Sequence, residues 1–106
     1  MVEIIYITCK NKQQAIDIAQ KTIASKLVAC ANIVENMLSI YEWEGQLVEE
    51  MECVLLLKTT SDKFEQVENM VLSLHTYHTP CLMALPIIKG HQPYISWIEK
   101  SVNFKS

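Results

Sequence analysis

Sulfur and imidazole side chains stand at both ends of this sequence in positions suited to binding a soft metal ion. Cys9 ends the first apolar run of the chain, Cys81 opens the last such run, and His75 and His78 shortly precede it. Thiolate and imidazole are soft to borderline ligands that suit Cu(I) or Zn(II). No two cysteines form a C-x-x-C pair, so these groups meet only if the fold brings them together.

Ordinary packing is a competing explanation for the same residues. Free cysteine is among the most buried residue types and usually behaves as a small hydrophobe. This explanation suits Cys30 and Cys53, which lie within apolar strand patterns, and it stays open for Cys9. His75 is also placed to end a helix, where the helix dipole favours an imidazolium. The wide spacing of the four cysteines suits reduced thiols rather than a disulfide framework.

The elements that must position these groups follow from the hydrophobic patterning. Alternation or short apolar runs indicate strands, and apolar residues three and four apart indicate helices. Asn11, followed by Gln14, is a typical helix cap. The predicted elements are a strand at 3–9, a helix at 12–26, a hairpin of 28–43 with 46–59 that turns at Glu44-Gly45, a helix after Ser61-Asp62 with a stripe of Phe64, Val67, Met70, Val71 and Leu74, a strand at 81–88 in which Pro86 indicates an edge, and a short helix begun by Pro93.

This order predicts an α+β fold, a ferredoxin-like βαββαβ sandwich with a long central hairpin and a short C-terminal helix. We expect residues 1–106 to form a single domain. Right-handed crossovers place the first and third strands in the middle of the sheet, with the last strand antiparallel to the first. The end of the first strand then lies near the start of the last. The predicted metal ligands are therefore Cys9, His75 and Cys81, with His78 as a further candidate.

The predicted hairpin is too long for a compact chain of this size. A strand of about 14 residues spans roughly 46 Å, whereas such a chain has a diameter of roughly 34 Å. An overhanging edge exposes unpaired backbone groups, and the aromatic residues near the tip would be exposed with it. We therefore expect self-association; the alternative is a hairpin that bends back over its own core.

Aromatic residues and one lysine predict a pocket between subunits. Tyr41, Trp43, Lys58 and Tyr94 are a combination that suits a small anionic or planar ligand. Packing within an oligomer is the simpler explanation of the aromatic residues. Lys58 lies among apolar neighbours, so we expect its ammonium group to reach a carboxylate or the solvent.

Composition and charge exclude several classes of function. The net charge is −3 and there is no arginine, the residue favoured for phosphate and guanine contacts, so no nucleic-acid partner is expected. No stretch approaches the roughly 18 apolar residues of a membrane helix, and the run 2–9 is too short for a secretion signal, which predicts a cytoplasmic protein without a membrane partner. Cys9 with His75 could form a thiolate–imidazole pair, but no third orienting group is visible, so no enzyme is expected.

Six segments in register resemble the CutA-type divalent-cation-tolerance family. They are KLVACANI (26–33), SIYEWEG (39–45), LLKTT (56–60), H-x-Y-x-x-P (75–80), LPIIKG (85–90) and YISW (94–97). The resemblance implies a ferredoxin-like fold, a homotrimer in which long hairpins complete neighbouring sheets, and a role in tolerance of divalent metals, especially copper. It also implies copper ligation by Cys9 and His75 together with an acidic residue.

One motif departs from the pattern of that family. Where the family usually reads H-P-Y-x-x-P-E, this chain reads HTYHTPC, with Thr76 for the proline and Cys81 for the glutamate. The expected function is a trimeric divalent-cation tolerance protein that binds copper or another divalent metal ion in a response to metal ions, with no obligatory cofactor. The alternative is a structural or signalling trimeric scaffold resembling PII-type regulators, with a small ligand or protein partner at the subunit cleft.

Overall fold

The computed structural model describes residues 1–103, and its elements follow the predicted order. The four strands form one antiparallel sheet in the order β2-β3-β1-β4, which confirms that the first and third strands are central. The elements are β1 Val2–Cys9, α1 Lys12–Ala24, β2 Cys30–Trp43, β3 Gln46–Thr60, a 3-10 turn Ser61–Lys63, α2 Phe64–Leu74, β4 Leu82–Pro86 and α3 Gln92–Val102.

Several element ends differ from the sequence prediction by a few residues. The first helix ends at Ala24 rather than 26, because Lys26 has a φ of 61°, outside the helical region. The second helix begins at Phe64, after a 3-10 turn, and Ser61 and Asp62 make no side-chain cap to it. Of its predicted stripe, Val67 and Val71 are fully buried while the other members are only partly so. Local hydrogen bonding at the ends of helices and strands decides these boundaries, and the residue pattern predicts that hydrogen bonding poorly.

The start of α1 carries the cap that the sequence predicts. The amide of Gln14 donates to Oδ1 of Asn11 at 2.9 Å, and the Gln14 side chain accepts from the Lys10 amide at 3.0 Å. One amide of the first helical turn, that of Gln14, thereby gains a partner, and so does the Lys10 amide just after β1. The cap fixes the direction in which α1 leaves the end of β1.

The sheet has two faces, distinguished by the alternation of side chains along each strand. On the helix face, Ile5, Ile7, Leu55 and Leu57 are fully buried beneath α1 and α2 and form the main core. On the opposite face, here called the open face, α3 contacts β3 and β1 and covers only the end near Lys58. The remainder of the open face carries partly exposed apolar side chains, namely Tyr6, Val34, Leu56, Met83 and Leu85.

The hairpin of β2 and β3 projects beyond the helices. The chain measures 49 × 28 × 21 Å, which agrees with the predicted overhang. The hairpin turns at Glu44 and Gly45, whose φ angles of 49° and 79° are those of a type I′ turn. A bulge between Val34 and Met37 leaves Glu35 and Asn36 opposite one residue of β3.

Candidate metal and inter-subunit sites

The three chain segments that carry the predicted metal ligands do meet at the end of β1. The Thr8 amide donates to the Cys81 carbonyl at 3.4 Å, so the start of the β4 segment lies beside the end of β1. Nε2 of His75 lies 2.8 Å from the Thr8 carbonyl oxygen, which brings the end of α2 to the same place. Strand order and helix direction therefore produce the proximity of backbone expected from the sequence.

The two predicted sulfur ligands point to different faces of the sheet. Cys9 follows Ile5 and Ile7 on the helix face and is fully buried. Cys81 is opposite Thr8 and thus belongs to the open face, since paired residues of antiparallel strands share a face. The backbone of β1 consequently lies between the two sulfur atoms.

Both ring nitrogens of His75 are occupied by contacts within the chain. Nε2 contacts the Thr8 carbonyl, and Nδ1 accepts a hydrogen bond from the Tyr77 amide at 3.0 Å, which makes Nε2 the protonated nitrogen. His78 is exposed in the loop that follows α2. Within residues 1–103, no three His, Cys, Asp or Glu side chains are grouped so that they could hold a metal ion. Metal binding by the four predicted ligands therefore remains a prediction.

The environment of Cys9 keeps its thiol protonated. Burial, followed by the nearby Cys53 and Glu52 side chains, raises the pKa of Cys9 to about 12. The thiolate is the form that binds metals and acts as a nucleophile, so Cys9 is inert near neutral pH unless a ligand displaces its proton. This makes a free, activated thiolate paired with His75 unsuitable as a description of the site.

A buried tyrosine–glutamate contact near this site was missed by sequence reasoning. The Tyr77 hydroxyl donates to Oε2 of Glu52 at 2.7 Å, and Glu52 is only 7% exposed. Burial first, and then the contact with Glu52, raises the pKa of Tyr77 above its usual range. The contact ties the loop after α2 to β3. The only sequence signal for this contact was the tyrosine of the HTYHTPC motif. The alternation of residues in β3 does not show that the Glu52 side chain is buried by a loop.

The four residues of the predicted pocket form two separate groups in one chain. Lys58 Nζ donates to the Tyr94 hydroxyl at 3.0 Å, and this contact, against some opposing burial, raises the pKa of Lys58. Tyr41 lies far along the hairpin, where its hydroxyl donates to Oε1 of Glu50 at 2.9 Å, and Trp43 is 64% exposed near the tip. Lys58 is partly exposed, as the solvent alternative of the prediction has it, while its hydrogen-bond partner is a phenol rather than a carboxylate.

Two further side chains complete the group around Tyr94. Cys30 Sγ lies 3.5 Å from the Tyr94 hydroxyl, and Trp97 stacks on the Tyr94 ring with centroids 5.6 Å apart. The Lys58 ammonium also lies 5.3 Å from the centroid of that ring. Sequence reasoning missed both residues, although Trp97 follows Tyr94 at a helical spacing of three.

Comparison with known proteins assigns the family. The profile of the family described as "CutA1 divalent ion tolerance protein" matches residues 3–101. The chain belongs to this family. It is 39% identical over 101 residues to the divalent-cation tolerance protein CutA of Thermus thermophilus, covering 95% of this chain and 98% of that protein. It is 41% identical over 93 residues to the CutA homolog of Xenopus laevis, covering 88% of this chain but only 62% of that longer protein.

Solved structures of CutA proteins share the fold. A divalent cation tolerance protein from Thermus thermophilus superposes with a TM-score of 0.93 at 38% identity, over 97% of this chain and all of the other. A CutA from Archaeoglobus fulgidus described as periplasmic gives a TM-score of 0.93 at 37% identity, with the same coverage. The predicted family and the ferredoxin-like α+β class are thereby confirmed. Across the described part of this CutA1-family chain, no helix has the length and apolar character required to cross a membrane.

Proposed function

We propose that this chain is a divalent-cation tolerance protein that acts as a homotrimer and binds copper or a similar metal ion in a response to metal ions. The observation that carries the proposal is the match of residues 3–101 to a family described by divalent ion tolerance. The names of the relatives, divalent-cation tolerance proteins, point to metals rather than to a PII-like regulatory scaffold. No catalytic role is part of the proposal.

The surface of the single chain supports assembly. Met83 and Leu85 on the open face are 55% and 50% exposed, and Val34 on the same face is 52% exposed. Leu38, Ile40, Met51 and Leu47 leave further apolar area on the projecting hairpin, which also has an unpaired outer edge along β2. Monomeric proteins rarely expose contiguous apolar patches of more than a few hundred Å². Burial against two further copies removes this surface and the free edge from water.

Assembly also accounts for the divided aromatic pocket. Tyr41 and Trp43 lie along the hairpin, whereas Lys58 and Tyr94 lie near its base, so one chain does not close the pocket. In the proposed trimer, the hairpin of one subunit brings its aromatic pair to the base of a neighbour. The combined site offers an ammonium group between aromatic rings, which suits a small anionic or planar ligand.

The chemistry of the donors supports metal binding, although their arrangement in one chain is not closed. Cys9, His75, Cys81 and His78 supply two thiols and two imidazoles, the ligands preferred by Cu(I) and Zn(II). To bind, Nε2 of His75 would have to leave the Thr8 carbonyl, and Cys9 would have to lose its proton. We further propose that the chain resides in the cytoplasm. One related structure is described as periplasmic, so fractionation of cells that express the chain is the test.

Two measurements on the reduced protein test the proposal. Multi-angle light scattering at micromolar concentration should give about 37 kDa, three times the 12.2 kDa chain; a mass near 12 kDa would refute the trimer. Cu(I) and Zn(II) should then be titrated against a competing chelator, with the Cys9→Ala/Cys81→Ala double variant alongside. Cys30→Ala is the matched control, since Cys30 lies beside Tyr94 and away from the end of β1. Tight binding lost only in the double variant supports the proposal, and absence of binding in the unmodified protein removes the metal function.

A further inference from the structure

Cys53 is the cysteine that the fold places beside Cys9. The register of β1 against β3 places Cys9 directly opposite Cys53. Both side chains lie on the helix face within the main core, where Cys9 is fully buried and Cys53 is 6% exposed. We propose that these two residues form a two-thiolate site for Cu(I) between β1 and β3. The inference rests on the proposed metal-binding function and replaces Cys81 by Cys53 as the second sulfur ligand.

Backbone hydrogen bonding determines how far apart the two residues are. The Thr8 amide bonds toward Cys81 on the β4 side, and successive residues of a strand direct their backbone groups to opposite sides. The backbone of Cys9 therefore faces β3, which makes Cys9 and Cys53 a hydrogen-bonded pair. Such pairs have Cα atoms about 5.5 Å apart, the wider of the two antiparallel spacings.

This spacing suits a bridging metal ion better than a disulfide. A disulfide requires Cβ atoms about 3.8 Å apart, whereas opposed Cβ atoms are about 4.5–5.5 Å apart and hydrogen-bonded pairs lie at the wide end. A metal–thiolate bond is about 2.3 Å for zinc, so two such bonds in line separate the sulfurs by about 4.6 Å. Thiolates are soft ligands that favour Cu(I), and two of them suffice for a linear Cu(I) complex.

A cavity gives the metal ion a route to Cys53. It has a volume of about 200 Å³, opens beside the bulge of β2, and is lined by Cys53 together with Met51, Glu52 and the backbone turn at Asn36. The thioether of Met51 offers a further soft sulfur at this opening. Cys81, on the open face, has no part in this route.

The lining of the cavity adds no net charge to the complex that would form. Binding of one Cu(I) displaces two thiol protons and leaves the copper oxidation state unchanged, so the bound unit carries one net negative charge. Lys10 and Lys12 line the same cavity together with Glu35 and Glu52, and Lys12 lies 3.7 Å from Glu35. The positive charge of Cu(I) itself therefore offsets one of the two thiolate charges.

The test compares single-cysteine variants of the whole reduced protein. Cu(I) affinity should be measured by chelator competition for Cys9→Ala, Cys53→Ala, Cys81→Ala and Cys30→Ala, and X-ray absorption should count the sulfur ligands of bound copper. We expect at least a 100-fold loss of affinity for Cys9→Ala and for Cys53→Ala, no change for the other two, two sulfur ligands, and two protons released per copper at neutral pH.

The outcomes separate this inference from the proposed function. Loss in Cys81→Ala with retention in Cys53→Ala would overturn the inference and leave the proposed metal function in place. Absence of Cu(I) binding in the unmodified protein would overturn both. Because Cys53→Ala opens a small cavity in the core, a second measurement uses the unmodified protein: alkylation in urea just below the unfolding midpoint, where transient opening exposes the buried thiols, followed by mass spectrometry, with and without Cu(I). Joint protection of Cys9 and Cys53 by one equivalent supports the site, and protection of Cys81 instead contradicts it.

Discussion

Removal of one hydroxyl group tests whether the loop after α2 is fixed to the sheet by Tyr77. In Tyr77→Phe, Glu52 keeps its position but loses the donor that lies 2.7 Å from its Oε2. Glu52 is 7% exposed, so water replaces that donor incompletely. Hydrogen bonds to charged groups contribute about 1.5–3 kcal/mol, and an unsatisfied buried polar group costs about 1–3 kcal/mol. We expect Tyr77→Phe to lower the free energy of unfolding by about 2 kcal/mol.

Urea unfolding measured at one fixed chain concentration is the appropriate assay, because the stability of an oligomer depends on concentration. With a slope of about 2 kcal/mol per M, the midpoint should fall by about 1 M. A double-mutant cycle with Glu52→Ala isolates the contact, since the packing lost in Glu52→Ala cancels. We expect a coupling of about 1.5 kcal/mol. A coupling near zero would show that the hydroxyl contributes nothing through Glu52, and the reasoning would fail.

Three further predictions concern a cap, a turn and alkaline pH. Asn11→Ala removes the acceptor of the Gln14 amide and should lower the free energy of unfolding by about 1 kcal/mol in urea, with Asn11→Asp as the conservative control; an unchanged midpoint for Asn11→Ala would contradict the cap. Glu44→Asn should raise the free energy of unfolding by about 0.5 kcal/mol, measured in thermal melts, since asparagine adopts the positive φ of a type I′ turn more readily than glutamate. The metal-free protein should lose stability as pH rises from 9 toward 12. The thiol of Cys9 ionises near pH 9.0 in the unfolded chain, whereas its pKa in the folded chain is about 12. The folded state therefore retains a proton that the unfolded state loses, which lowers the free energy of unfolding by up to about 1.4 kcal/mol per pH unit. Unfolding curves of Cys9→Ala should show a shallower alkaline decline, and an equal decline would assign the effect elsewhere.

The fold was largely predictable because its signals are local. Alternation in β3, the spacing of Val67 and Val71, the Asn11 cap and the Glu44-Gly45 turn each identify an element without knowledge of its neighbours. The crossover rules then leave one strand order, and the structure has that order.

The candidate site was less predictable because it depends on which face of the sheet each residue occupies. Strand order correctly brings Cys81 beside the end of β1, but a single step in register moves a side chain to the other face. The sequence gives no register between β1 and β3, so the opposition of Cys9 and Cys53 was not foreseen. Burial of Glu52 under Tyr77 likewise depends on the path of a loop.

The bulge in β2 sets the direction of the hairpin tip without changing which face each residue occupies. Because two residues oppose one there, Val34 before the bulge and Met37 and Tyr41 after it all lie on the open face. A deletion of one codon at Asn36 would restore simple alternation and leave Met37 opposite Glu52, so every paired residue would keep its face. The local bend and the extra twist that a bulge gives its strand would be lost. A lineage could thus re-aim the tip of its hairpin through one small genetic change, with no compensating change in the core.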